Sequence, residues 1–298
     1  MRRASPTPGD APALPWLMPA LAMLALFYAV PVLDVLRLAF SDATLIRPAT
    51  EVSTRAVAAV LSNPALPQVL GTTALFTLAS VIALQGVGLA IALLIVRGER
   101  RGLRGMTALR TLVLAAWVVP GIANGLIWQI LFSEAPYGGL NSLLGSVGLG
   151  PVAWLSDPQM ALVSAVIANT WQGAAFSMIV FYAALRAIDP VIYEAAEVDG
   201  ARAFTVLTRI TLPLLRGAVL VNSVLVTVQT LNTFDAILAL TGGGPGRATE
   251  VLALFTFNTV FYNLDLAGGS ALAILLFALA MALALVLWVT LGRRDMRA

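Results

Sequence analysis

The chain of 298 residues contains no lysine, no histidine and no cysteine, and has few charges of either sign. Each absence excludes a class of chemistry. Without cysteine or histidine, no zinc site of the Cys/His kind can form, and neither a Ser-His nor a Cys-His nucleophile can be assembled. Without lysine there is no Schiff base and no phosphate-binding P-loop. The chain by itself is therefore not expected to hydrolyse ATP, and no catalytic residue or metal ligand is assigned. Disulfides are excluded as well, so cysteine usage says nothing of redox compartment. Charged residues make up 11% of the chain, where a soluble domain carries about 25%. So few polar groups could not cover a protein of this size in water. Lipid can take their place, and a hydrophobic fraction of 59% points the same way. The net charge of +3 is dispersed along the chain, and nucleic-acid binding is not expected.

What is present is a series of apolar runs. A membrane helix needs about 20 such residues, and six stretches qualify, near residues 15–40, 66–96, 109–132, 159–185, 217–240 and 264–291. The first follows Arg2 and Arg3, but it is longer than a signal-peptide core and has no clear cleavage site, so it is read as a span. With six spans both termini lie on one side. Fourteen of the eighteen arginines then fall in the tails and in residues 97–110 and 186–216, and cytoplasmic segments carry the arginine excess. The expected organisation is all-α: a cytoplasmic tail at 1–14, one six-helix domain over 15–291 and a second cytoplasmic tail at 292–298. Turn signals punctuate the outer loops near residues 135–139, 148–151 and 241–246. The last of these is glycine-rich but lacks a lysine, and is read as a turn. Small residues at 267–273 let helices approach closely, either within the chain or against another subunit.

Residues 186–216 carry the functional argument. Asp189 suits an N-cap and Pro190 the first helical turn. Glu194, Ala195, Ala196 and Glu197 favour helix, and Gly200 can supply the positive φ that ends it. A second helix is expected from about Ala201 to Ile210, stopping before Pro213, with Phe204, Leu207 and Ile210 on one apolar face. That face needs a protein partner or the membrane surface. The pattern Glu194-Ala195-Ala196-x-x-Asp199-Gly200-Ala201, followed by Ile210-x-Leu212-Pro213, resembles the EAA loop of binding-protein-dependent ABC importer permeases. Leu207 stands where an aromatic is common, and Gly217 where a second proline often follows. The resemblance implies a coupling helix docked in a cleft of an ATP-binding subunit, with Glu194, Ala195, Ala196, Asp199, Gly200, Ala201, Phe204 and Pro213 at that contact.

The resemblance extends over about residues 66–291, and residues 151–158, 169–171 and 234–245 are similar to the maltose-type, carbohydrate-importing branch. It implies a second, different permease subunit, two ATP-binding subunits that hold the ATP and Mg, an external solute-binding protein, and residence in a bacterial or archaeal inner membrane. No cofactor is expected in this chain. Polar side chains at membrane depth often mark a pathway; otherwise they hydrogen-bond between helices. Here Asn124, Gln129, Asn169, Gln172, Asn222, Gln229, Thr230, Asn232, Thr233 and Asp235 lie within expected spans. The maltose-type pattern places solute contacts at Gly121, Asn169, Gln172, Gly173, Phe176, Gln229, Thr230 and Thr233. Amides beside an aromatic ring suit sugar hydroxyls and the apolar face of a pyranose. The alternative is an ion-coupled secondary transporter or channel, for which Asp235, toward the outer end of its stretch, is the candidate carboxylate.

Overall fold

The structure, a computed structural model, describes residues 14–291. The tails expected to be cytoplasmic lie outside the described residues, apart from Leu14. Among the described residues the chain is helical, with one isolated bridge between Ser41 and Val52. Four helices are long and apolar enough to cross a membrane: α1 (Pro15–Ala39), α3 (Leu66–Arg100), α7 (Pro158–Arg186) and α13, whose apolar stretch is Leu266–Thr290. Two further candidates are bent pairs. In one, α4 (Met106–Val118) meets α5 (Gly121–Leu131) at 102°; in the other, α9 (Ala203–Leu214) meets α10 (Arg216–Leu231) at 69°. Shorter helices are α2 (Arg55–Leu61), α6 (Gly139–Ser146), α8 (Pro190–Val198), α11 (Asp235–Thr241) and α12 (Leu252–Phe261).

Three expectations are corrected. The third stretch is not one helix: Pro120 has no N–H to continue the ladder, and the chain turns there. The fifth stretch is interrupted at residues 232–234, where Asn232 and Thr233 turn their side chains back onto the carbonyls of Val228 and Gln229. The second helix of the loop after α7 does not stop before Pro213. Residues Leu207–Thr211 widen into a π turn, and the helix runs through the proline to Leu214. The same device appears in α1, where the π turn Ala25–Ala29 lies just ahead of Pro31. An i→i−5 turn re-registers the ladder ahead of a residue that cannot donate. α12 was not foreseen; its ten residues fall below the length of a span.

The chain divides into two units. Among the described residues the first holds 14–62 and 259–274, where Leu45 and Ala267 make backbone hydrogen bonds to Leu264 and Ala43. The loop after α1 is built around Asp42, which accepts the Thr50 hydroxyl and the N–H groups of Glu51 and Thr50; these hold its carboxyl well below the usual range. The apolar stretch of α1 is wholly uncovered.

The second unit, described residues 63–258 and 275–291, is centred on the pairing of α3 with α7. Glycines permit it. A Cβ on Gly88 would collide with Ser177 and lie 2.9 Å from the Met178 nitrogen, and one on Gly173 would lie 2.7 Å from Leu84. Lipid tails are as apolar as leucine, so close packing of this kind, not exclusion from water, holds membrane helices together. One core cluster gathers Ile95, Met178, Phe181, Leu185 and Leu215; another gathers Phe76, Phe132, Ile237, Leu240 and Leu254. Asp157 caps α7, accepting from the N–H groups of Gln159 and Met160 at 3.0 and 2.8 Å. Ahead of it, Glu134 accepts the Leu155 and Ser156 N–H groups and the Ser156 hydroxyl, and Asn141 grips Val152 and Trp154. The Leu155 N–H first, and then Ser156, lower the Glu134 pKa against the opposing effect of desolvation.

Candidate functional site: the loop after α7 and the bend between α4 and α5

The loop after α7 folds as its local chemistry dictates. Asp189 accepts the Val191 N–H at 3.0 Å and Pro190 opens α8. Gly200 takes φ +68°, and the Ala201 N–H returns to the Ala196 carbonyl at 2.9 Å, which closes the helix sharply. A second helical segment, α9, then begins at Ala203.

The loop has two faces. Glu194, Ala195, Asp199, Gly200 and Pro213 are exposed, as are Val198 (88%) and Phe204 (75%). Tyr193 and Ala196, three residues apart on α8, face inward, and Ala201 is half-buried. Ala196 therefore packs against the chain's own interior, while Glu194, Ala195 and Phe204 are presented outward. The expected stripe of Phe204, Leu207 and Ile210 is split: Leu207 and Ile210 are half-buried and Phe204 is not. The π turn, which starts at Leu207, alters the angular spacing on which that stripe relied.

At the 102° bend, side chains from other helices take over the work of the missing helical turn. Gln172 of α7 donates its amide to the Val119 carbonyl and accepts from the Asn124 amide at 3.1 Å. Asn124 also reaches the Ala168 carbonyl at 3.2 Å. Gly121, the first residue of α5, lies directly beneath Asp235; any Cβ there would fall on the carboxylate. Gly125 lets α5 close onto the backbone of α11 at Ala236. Broken helices of this kind are tolerated at membrane depth only where protein or a water-filled cavity receives the backbone.

The eight expected path residues differ in surroundings. Gly121 and Gln172 come together at the bend. Gly173 faces Leu84 of α3, and Phe176 packs against Trp117, with ring centroids 5.9 Å apart. The Asn169 amide nitrogen is buried and has no hydrogen-bond partner among the described residues. Gln229 is exposed, Thr230 is buried, and Thr233 bonds back to the Gln229 carbonyl. A second polar cluster joins Gln85 of α3 to Asn222 and Ser223 of α10, with Asn222 also donating to Ser177 of α7 at 3.0 Å. An apolar groove of about 490 Å³ lies between α3, α4 and α7, lined by Val87, Ile91, Leu112, Ala116 and Trp171 among others. None of the eight path residues is among those lining it. The sequence reading passed over Glu99, Arg100, Tyr182 and Tyr193, which join the ends of α3, α7 and α8; the signal available was an aromatic on the inner face of α8.

Comparison with known proteins agrees with this architecture. Residues 86–298 match the family described as binding-protein-dependent transport system inner membrane component. The chain is 37% identical to the trehalose/maltose transport system permease protein of Thermococcus litoralis over 94% of this chain and 93% of that one. It is 32% identical to the sulfoquinovosyl glycerol transport system permease protein of Agrobacterium fabrum, covering 89% and 85% of the two chains. Its fold is similar to a chain of a bacterial ABC transporter involved in import of the acidic polysaccharide alginate, with a TM-score of 0.79 at 21% identity and 94% of each chain covered. A multi-helix membrane chain that presents a short acidic helix, a positive-φ glycine and an exposed aromatic on one loop is thus placed by its relatives as well as by its geometry: it belongs to the binding-protein-dependent inner membrane components, the permease subunits of ABC importers.

Proposed function

We propose that this permease conducts a neutral, hydroxyl-rich solute, a disaccharide or short oligosaccharide, together with a second and different permease subunit. Two ATP-binding subunits holding ATP and Mg drive it, and an external binding protein delivers the solute. In this reading α1, α3, α7 and α13 with the two bent pairs make six crossings of a bacterial or archaeal inner membrane, with both termini in the cytoplasm, the six-helix domain over 15–291, and short tails at 1–14 and 292–298. The loop 186–216 then lies on the cytoplasmic side, where the arginines concentrate. Glu194, Ala195, Asp199, Gly200, Ala201, Phe204 and Pro213 meet the ATPase, with Ala196 supporting them from within. Arg104→Cys and Tyr137→Cys should label from opposite sides with an impermeant thiol reagent; labelling from one side refutes the topology.

The observation that supports a sugar is the buried amide of Asn169, which has no partner among the described residues, on a helix that also carries Phe176. A buried donor left unmet is unfavourable, and a solute hydroxyl can meet it. Gly121, Gly173, Phe176, Gln229, Thr230 and Thr233 complete the proposed path, and Gln172 fixes its wall. No arginine lies among them to receive a phosphate or carboxylate. In the reconstituted importer, disaccharides should be preferred to glycerol-phosphate compounds. Asn169→Ala and Gln229→Ala should lower sugar uptake while leaving assembly intact. Preference for the phosphorylated solute, or unchanged uptake in both variants, overturns the assignment.

A further inference from the structure

We propose that Tyr193 is a positioning residue that ties the coupling helix to the end of α3, so that displacement of α8 by an ATPase subunit is carried into the helix core. The proposal rests on the reading of the 186–216 loop given above and names the residues that make it mechanically effective. α8 has nine residues, with a turn at residues 187–189 before it and Gly200 after it. A segment hinged in this way could swivel against an ATPase without moving anything else. Its cross-contacts decide whether the motion is passed on.

Tyr193 supplies two such contacts from the inner face of α8. Its ring lies under the Arg100 guanidinium, 4.4 Å from carbon to centroid, and its hydroxyl is 3.3 Å from the Thr211 hydroxyl. Arg100 is the last residue of α3, and Thr211 lies in the π turn of α9. One side chain thus joins the coupling helix both to a membrane helix and to the second segment of its own loop. The residue before Arg100 anchors the same end to α7. Glu99 accepts the Tyr182 hydroxyl at 3.0 Å and pairs with Arg186 at 3.9 Å, while Arg110 stacks over Tyr182 at 5.3 Å. The last turn of α3 therefore holds α7 with one side chain and α8 with the next. Along α3, Gln85 bonds Asn222 and Gly88 presses on Ser177, so the helix held at Arg100 is also keyed to α7 and α10 further along. Ala196 is buried beside Tyr193 on the same face. A methyl group packs but gives no directional tie, whereas a cation over a ring and a hydroxyl pair do.

The test uses the reconstituted importer with its ATPase subunits and binding protein, reading solute moved per ATP hydrolysed alongside co-purification of the subunits. Tyr193→Leu and Arg100→Gln should each lower the coupling ratio about fivefold, with subunits retained and basal ATP hydrolysis preserved. The double variant should be no worse than either single one, because both remove the same contact. Tyr193→Phe keeps the ring over Arg100 and should stay within about twofold of the parent. Multiplicative effects in the double variant, or an unchanged coupling ratio, overturn the proposal. So does loss of the ATPase subunits in Tyr193→Leu, which would make Tyr193 part of the docking surface. Phe204→Ala, run in parallel, separates this from the parent reading. If Phe204→Ala leaves ATPase association unchanged while the Tyr193 variants uncouple, the outward docking face is wrong and the tie stands.

Discussion

Gln172→Ala tests whether the amide at the bend holds structure or meets solute. Gln172 donates to the Val119 carbonyl and accepts from Asn124, so both ends of its amide are engaged by the chain itself. Hydrogen bonds between membrane helices average about 0.6 kcal/mol and reach about 1.7. Removing two therefore loosens the bend by about 1.2 kcal/mol, and leaving the Val119 carbonyl unpaired pushes the total toward about 3 kcal/mol. At the lower figure the population with α5 unfastened rises about eightfold. Asn124 retains the Ala168 carbonyl, so the damage is confined to the bend. Gln229 is the control, since its side chain is exposed. In detergent, thermal unfolding of the purified chain should shift down for Gln172→Ala and stay put for Gln229→Ala. Sugar uptake should fall in both. If Gln172→Ala unfolds at the parental temperature, Gln172 is not a fastening and its amide is free for solute.

The other predictions concern the loops and the main helix pair. Gly200→Val forces a β-branched residue into φ +68°. Solute-stimulated ATP hydrolysis and uptake should drop, while solute binding by the external protein is unaffected. Gly88→Leu overpacks the α3–α7 contact, where a Cβ already meets Ser177; a loss of about 1–3 kcal/mol is expected, read as a lower unfolding temperature than for Gly71→Leu, where the added group meets nothing. Glu134 has a lowered pKa in the folded chain, so its anchoring of residues 155–156 is fully present above the ordinary carboxylate range, about pH 4. It is lost as pH falls through the lowered folded value. The difference in unfolding temperature between parent and Glu134→Gln should be flat from about pH 7 down to about pH 5 and shrink below; a difference that grows on acidification contradicts the sign.

Much of this was legible in the sequence. The loop after α7 could be read because its signals are local. An Asp-Pro start, a run of helix formers and a glycine each act within one turn, and all three operate as expected at Asp189, Pro190 and Gly200. The bends in the third and fifth stretches were not read, because hydropathy averages over a break: residues 109–132 are apolar on average on both sides of it, and Pro120-Gly121 was the sign available. The role of Gln172 depends on Val119 and Asn124, brought to it from a different helix, and no pattern along one chain specifies that meeting. Ala196 sits inside the acidic-Ala-Ala motif, yet faces the chain's interior, because only the three-dimensional turn of α8 decides which alanine points where. Tyr193 was passed over for the same reason. The π turn at Leu207–Thr211 shows how a proline that should stop a helix is instead accommodated.

The bend between α4 and α5 also sets a length. At 1.5 Å per residue the 13 and 11 residues of the two helices would reach about 36 Å if collinear. Bent by 102°, their far ends are only about 23 Å apart. That is less than the roughly 30 Å of hydrocarbon in a bilayer, however the pair is oriented. The residues that follow, 132–157, include the short helix α6 and are anchored by Glu134 and Asn141. As one of the six crossings proposed above, the pair would cover about three quarters of that thickness with helical ladder, and backbone completing the passage would need protein or water as its partner. In that reading the same partners would be open to the hydroxyls of a solute passing beside the pair.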